Sequence, residues 1–372
     1  MKPDSSGLYS DEPDGVLHTA LVDKRQKMSP INYSESPLKN ISWRELVLPY
    51  MMPDVWRSVW QIINSLGPFI AMFYLMYRSL AISYWLVLAL AVPAAGFMTR
   101  VFIIMHDCGH GSFFKSPRAN QIVGTICGIL ANTPYFQWTR EHAIHHATAG
   151  DLDRRGVGDV DTITVREYLA LSKPGRLKYR LYRHPLVTFG IGPHYIFLLY
   201  SRFVGKQSGR RERQGVYLTN VALFTLWGSL IYAMGIKAFL LIWVPVQILA
   251  GVWGVWLFYV QHQFEHTYWQ HHRDWDYATA ALMGSSFYKL PRVVQWFSGN
   301  IGFHHIHHLC QRIPNYKLEA CHKENPVFQK APTLTFWKSL KCVNLKLWDE
   351  EQERLIGYGE LKKLPVERRM AA

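Results

Sequence analysis

A formal charge of +14 over 372 residues, with Arg/Lys-rich stretches at 176–183 and 206–213, invites a nucleic-acid reading, but no nucleic-acid-binding motif accompanies it. The basic side chains suit anionic lipid headgroups better, and no nucleic-acid partner is expected. Five cysteines without a C-x-x-C pair exclude a dense disulfide framework and read as reduced thiols, while the 49% hydrophobic content is too unevenly placed for an ordinary soluble domain.

Residues 1 to about 40 are rich in Ser, Asp, Pro and Lys and lack the apolar stretch of a cleaved signal peptide, so a polar N-terminal tail is expected over 1–50. From Val55 to Met105 the chain is almost wholly apolar apart from Arg57, Gln61, Asn64, Arg78 and Arg100, and a second such block runs from Val216 to Val260. A bilayer span needs about 20 largely apolar residues. The two blocks therefore predict four helices in two hairpins, near 56–77, 80–104, 216–234 and 236–260. Between the hairpins, 121–137 and 186–200 are apolar but interrupted by Gly and Pro, which predicts interfacial or buried helices. The stretch GDLDRRGVGDVD, 150–161, predicts a loop. The expectation is an all-α integral membrane protein with a membrane region over 51–340, a helical cap, and a polar C-terminal tail over 341–372.

Charge placement supports this. The hairpin turns carry only Arg78, Ser79 and residues 235–237, whereas Lys and Arg gather in 1–43, 106–215 and from 266 onward. The positive-inside rule puts those three regions on the cytoplasmic side of the cell membrane.

Three histidine clusters stand on that same side: His106-Asp-Cys-Gly-His110, His142-Ala-Ile-His145-His146 and His304-His305-Ile-His307-His308. Positions three and four apart share a helix face, so His106/His110, His142/His145/His146 and His304/His307/His308 each present imidazoles in one direction. Neutral imidazole is the commonest protein metal ligand and suits zinc, copper, nickel and iron. One ion cannot use eight imidazoles, so the count favours two. His262, directly after the fourth span, reads as a further ligand, and the spacing leaves His266 open.

His262-Gln-Phe-Glu-His266 also spells the H-x-x-E-H pattern of an inverted zinc peptidase, a reading that leaves the eight clustered histidines unexplained. His18, His184, His194, His271, His272 and His322 read as ordinary hydrogen-bonded side chains. Asp107 is the favoured acceptor for an imidazole N–H. Glu141, Asp151, Asp153, Asp159 and Asp161 are each as well suited to that role as to a solvated loop. Tyr135, Trp138, Trp269 and Trp296 are expected at the membrane interface rather than around an acyl pocket.

HDCGH, HAIHH and HHIHH, in that order around two apolar hairpins, resemble the three histidine boxes of integral-membrane fatty acid desaturases. The stretches HAIHHATAGDLDRRGVGDVDTITVREY, WLFYVQHQFEHTYW and GSSFYKLPRVVQWFSGNIGFHHIHHLCQRIPNYKL are similar to those of bacterial acyl-lipid desaturases, especially of Gram-positive bacilli, from about Val55 to the carboxyl end. The resemblance implies that His106, His110, His142, His145, His146, His304, His307 and His308 hold two iron ions, with His262 at the family's additional ligand position. It makes His305 a spacer and does not require histidine at position 266. It further implies an O2-dependent enzyme that places a cis double bond in the acyl chain of a membrane lipid.

No HPGG, G-x-G-x-x-G or iron–sulfur cysteine set is present, so electrons are expected from an external ferredoxin or flavodoxin. A hydroxylase or related lipid oxidase on the same scaffold is the nearest alternative. A metal transporter would need polar groups inside the spans, which are almost free of them.

Overall fold

The computed structural model describes residues 42–365; His18 and most of the expected N-terminal tail lie outside them. Four helices are long and apolar enough to cross a membrane: Val55–Ser79, Tyr84–Gly109, Arg210–Met234 and Ile236–His262. Two of them begin for a visible local reason. Asp54 caps the first by accepting from the Arg57 N–H at 3.1 Å, and Gly235, at φ +81°, makes the break between the third and fourth. Pro68, Pro93 and Pro245 sit inside spans. Membrane helices tolerate such residues where neighbouring groups satisfy the freed backbone.

The second span is the most enclosed of the four. Its Val87, Ala91, Ala94, Ala95, Met98 and Val101 are buried against Phe69 and Met76 of the first span and Ile242 and Val246 of the fourth. Large apolar side chains elsewhere on the spans face outward, including Trp60, Ile70, Trp85, Val92, Val221 and Tyr232. A soluble protein would hide such surface; here it is the surface that meets lipid.

The inter-hairpin segments form helices Pro117–Leu130 and Tyr135–Thr148, followed by a wider-wound stretch over Leu186–Leu199 with exposed Leu186, Ile191, Tyr195 and Leu199. Residues 150–161 form a loop. The expectation of a C-terminal tail from 341 meets a difference: Leu347–Asp349 pairs in parallel with Ile163–Thr164 and antiparallel with Arg354–Ile356. Leu347, Trp348, Leu355 and Ile356 are buried there, so apolar burial against the inter-hairpin segment anchors these residues.

One glycine fixes how the third histidine cluster docks. Gly299 has φ +55°, and a Cβ there would lie 2.6 Å from Ile103 Cγ2. The chain can therefore turn against the second span, three residues from His106, before entering His304–Leu309.

Candidate metal centre

Second and fourth spans end together, at Gly109 and His262, and helices Tyr135–Thr148 and His304–Leu309 close over those ends. Nine imidazoles converge there in two groups. His106, His110, His142, His146 and His307 form one, and His145, His262, His304 and His308 the other; within each, one nitrogen from every ring lies within 4.8 Å of the rest.

In three of the nine rings an oxygen holds Nδ1. His106 Nδ1 lies 3.0 Å from Asp107 Oδ1, His145 Nδ1 lies 2.5 Å from Asp159 Oδ1, and His262 Nδ1 lies 3.2 Å from the Gly284 carbonyl. Each of these oxygens accepts the Nδ1 proton, so Nε2 carries the free lone pair. The pairs His106/His307, His307/His146, His146/His142 and His262/His304 bring Nε2 atoms to 2.9–3.1 Å. Among the described residues His110 Nε2, His145 Nε2 and His308 Nε2 are buried without a hydrogen-bond partner. Ring nitrogens gathered in this way, several of them buried with no partner, fit a cation at the centre of each group.

Burial, reinforced by neighbouring imidazoles, pushes His110, His142, His146, His304, His307 and His308 well below the usual histidine range. They are neutral at pH 7, the state that binds metal.

Asp107 also accepts from the backbone N–H of Asn315 at 2.7 Å and from its amide at 2.8 Å, and that amide lies 3.2 Å from Gln61 Oε1. The polar residue inside the first span thus helps hold a histidine on the second. Among the described residues no imidazole bond joins Glu141, Asp151, Asp153 or Asp161 to either group. Asp151 and Asp153 instead meet His272 and His271 at 2.9 Å, and Asp161 gives its carbonyl to Arg183.

His266 belongs to neither group: the helix stops at His262, so His266 does not continue its face. Glu265 of the same H-x-x-E-H string points away to Arg354, at 3.1 Å. His305 turns from the centre to meet His322 Nδ1 at 3.0 Å. His194 Nδ1 donates to the Gly190 carbonyl at 2.6 Å, and His184 Nδ1 accepts from Leu186 N–H at 3.3 Å.

The aromatic expectation needs correcting at Tyr135, Trp138 and Trp269. Trp138 stacks on His142 with centroids 4.3 Å apart, and buried Tyr135 donates to the Cys108 carbonyl at 2.8 Å. Trp269 is buried beside Trp348. Trp296 is partly exposed, with the Arg100 guanidinium over its ring.

Phe102 also meets Trp138, edge to face, with centroids 5.3 Å apart. It also lines a partly open apolar cavity between the second and fourth spans, with about 520 Å³ of empty space counting its mouth, bounded by Met98, Phe197, Gly251 and Gly254. Phe102 and Trp138 thus link the apolar cavity, through ring contacts, to His142.

The chain matches the family described as Fatty acid desaturase over residues 83–339. It is 46% identical over 320 residues to a Bacillus subtilis (strain 168) fatty acid desaturase, covering 86% of this chain and 91% of that one. It is 28% identical over 235 residues to the sn-1 oleoyl-lipid 12-desaturase of Synechocystis, covering 61% and 66% of the two chains. It is 27% identical over 334 residues to the sn-2 acyl-lipid omega-3 desaturase (ferredoxin), chloroplastic, of Arabidopsis thaliana, covering 83% and 70%.

Proposed function

The chain belongs to the fatty acid desaturase family and is a membrane oxidoreductase acting on lipid acyl chains, and from that premise we propose that nine imidazoles hold two iron ions with which it makes a cis double bond using O2. The observation that carries this is the gathering of imidazole nitrogens into a group of five and a group of four. His106, His110, His142, His146 and His307 would hold one ion, and His145, His262, His304 and His308 the other.

Removing hydrogen from unactivated methylenes lies beyond amino-acid acid–base groups, and iron with O2 supplies that chemistry when bound. In balance, –CH2–CH2– with O2, two electrons and two protons gives –CH=CH– and two waters. The chain's own residues do the rest. Asp107 and Asp159 hold the Nδ1 protons of His106 and His145, which fixes the tautomers and keeps the Nε2 lone pairs turned inward. The apolar cavity at Met98, Phe102, Phe197 and Gly254 suits an acyl chain of a bilayer lipid, and Trp138 sets the wall between it and His142.

The concentration of Lys and Arg beside the centre supports a cytoplasmic orientation in the cell membrane. It also supports an external acidic donor, a ferredoxin or flavodoxin, and one relative's name specifies ferredoxin.

Elemental analysis of the purified chain, joined to turnover with and without O2, tests the cofactor assignment. Two irons per chain and strict O2 dependence are expected. Zinc in place of iron, or turnover without O2, would reject it.

A further inference from the structure

Between Glu167 and Glu212 the chain carries no carboxylate side chain, and helix Lys173–Tyr182 lies near the start of this stretch. Ser172 caps the helix by accepting from the Gly175 N–H at 3.3 Å. Its inner face is fixed to the protein: buried Tyr179 donates to the Lys346 carbonyl at 2.7 Å, and buried Arg183, just past its end, donates to the Tyr259 hydroxyl at 3.3 Å. Tyr259 stands one turn before His262, so the helix lies beside the metal-centre end of the fourth span. From there the chain runs down that span. Phe189 meets Trp256 and Tyr259 with centroids 5.2 Å and 5.0 Å away, and a Cβ on Gly251 would lie 3.1 Å from Pro193 Cβ. From Tyr259 to Gly251 the descent is about 12 Å along the helix axis.

The outer face of the helix is apolar and basic. Leu177 and Leu181, four apart, share that face and are 59% and 56% exposed. Exposed Lys173 and Lys178 flank them, and Arg180 is exposed as well. Among the described residues no ion pair reaches these three cations: Glu167 is held by Arg155 and Glu360 by Arg354, while Asp161 meets the helix through its backbone N–H, at the Tyr182 hydroxyl. Arg180 donates to the Tyr168 hydroxyl at 2.6 Å, a neutral acceptor that leaves its charge uncompensated.

We infer that helix Lys173–Tyr182 lies in the headgroup layer of the bilayer and binds anionic phospholipid, with Leu177 and Leu181 among the acyl chains and Lys173, Lys178 and Arg180 at the phosphates. The inference deepens the desaturase reading and rests on it for its consequence, that anionic phospholipids are the preferred carriers of the acyl substrate. A helix with lysines beside an apolar stripe takes this in-plane position, its basic heads in water and its stripe in lipid. Two observations choose lipid over a soluble partner. The apolar surface continues into exposed Leu186, Ile191, Tyr195 and Leu199 on the run that descends along the fourth span. The exposed charges beside it are of one sign, which suits a layer of phosphates. That same run supplies Pro193, His194, Phe197 and Leu198 to the wall of the apolar cavity. A phosphate held at Lys173 and Lys178 therefore leaves the acyl chains of its own lipid beside the cavity wall.

The test uses the full chain in lipid nanodiscs. All five native cysteines are buried, so a nitroxide on Leu177→Cys reports one position. Power-saturation EPR of the metal-free chain is expected to find this label open to dissolved O2 and shielded from a water-soluble nickel chelate. Native mass spectrometry from mixed phosphatidylglycerol and phosphatidylcholine is expected to find phosphatidylglycerol enriched on the chain, with its affinity about thirtyfold lower in Lys173→Gln/Lys178→Gln. With iron loaded, the same variant is expected to raise KM for acyl chains on phosphatidylglycerol and to leave kcat, and KM on phosphatidylcholine, unchanged. A label open to the chelate, or phosphatidylglycerol binding unaltered in the variant, overturns the inference. So does a variant that raises KM only for reduced ferredoxin, which would give this face to an acidic protein. Phosphatidylglycerol that binds at the lysines but is desaturated no better than phosphatidylcholine overturns the substrate preference and makes the bound lipid an anchor. The EPR and binding readouts need neither iron nor turnover, so a chain that passes both yet desaturates neither lipid overturns the desaturase reading instead.

Discussion

Asp159 Oδ1 stands 2.5 Å from His145 Nδ1, at the end of a loop that leaves the histidine's own helix and turns back onto it. Gly158, at φ +72°, makes the return possible, since a Cβ there would lie 3.1 Å from His145 Cβ. Carboxylates that orient metal-bound imidazoles are worth about 10- to 100-fold in metal affinity. Asp159→Ala should therefore lower iron affinity by about that factor at the group of four, and Asp159→Asn, which keeps an acceptor oxygen, by less. Chelator competition with iron quantified per chain measures it, and wild-type retention in Asp159→Ala would refute the role.

The pH dependence of the metal-free chain has a definite sign. His110, His142, His146, His304, His307 and His308 have folded values well below the ordinary histidine value, so the unfolded chain binds more protons as pH falls below about 6.5. The stability these groups contribute is complete above the unfolded value and is lost on acidification. The Tm of the metal-free protein in detergent should fall steeply between pH 6.5 and pH 5, and bound metal should move that fall to lower pH. A metal-free Tm that is flat over this window would contradict the neutral, buried cluster.

Gly254 faces the apolar cavity, and a Cβ there meets nothing within 4 Å. Gly254→Leu should fit without disturbing the helix and fill part of the space assigned to the acyl chain. Lipid analysis should show loss of the longest unsaturated chains before the shorter ones, with iron content unchanged. An unaltered product distribution would remove the cavity from the acyl path.

Gly299→Ala tests the docking of the third cluster. Its positive φ and the 2.6 Å approach to Ile103 both oppose a side chain, at a cost of about 1–3 kcal/mol. Lower Tm and lower iron content are expected together. A fall in Tm with full iron loading would mean that this turn supports the fold but not the centre.

The spans were legible because a bilayer imposes a length and an apolar composition that short windows of sequence reveal. The helical spacing within each cluster was equally local, and it placed His142, His145 and His146 on one short helix. Which imidazole joins which group was not legible: His145 and His146 are neighbours in sequence but belong to different groups. Asp107 could be singled out because it adjoins His106, whereas Asp159 reaches His145 only through a glycine-dependent loop. The Gly-Val-Gly-Asp string was its one signal. The partnership of Gln61 with Asn315 and the pairing of 347–349 with 163–164 depend on contacts between distant segments, which periodicity does not encode.

The most direct test of the central claim is gas chromatography with mass spectrometry of membrane lipids from a desaturase-free bacterium expressing this chain, beside His145→Ala and His307→Ala. These two histidines come from different imidazole groups, so each control removes a ligand from one of them. Cis-monounsaturated acyl chains in the wild type and in neither variant are the predicted result. Hydroxylated chains in the wild type, or unsaturated chains that persist when either histidine is removed, would contradict it.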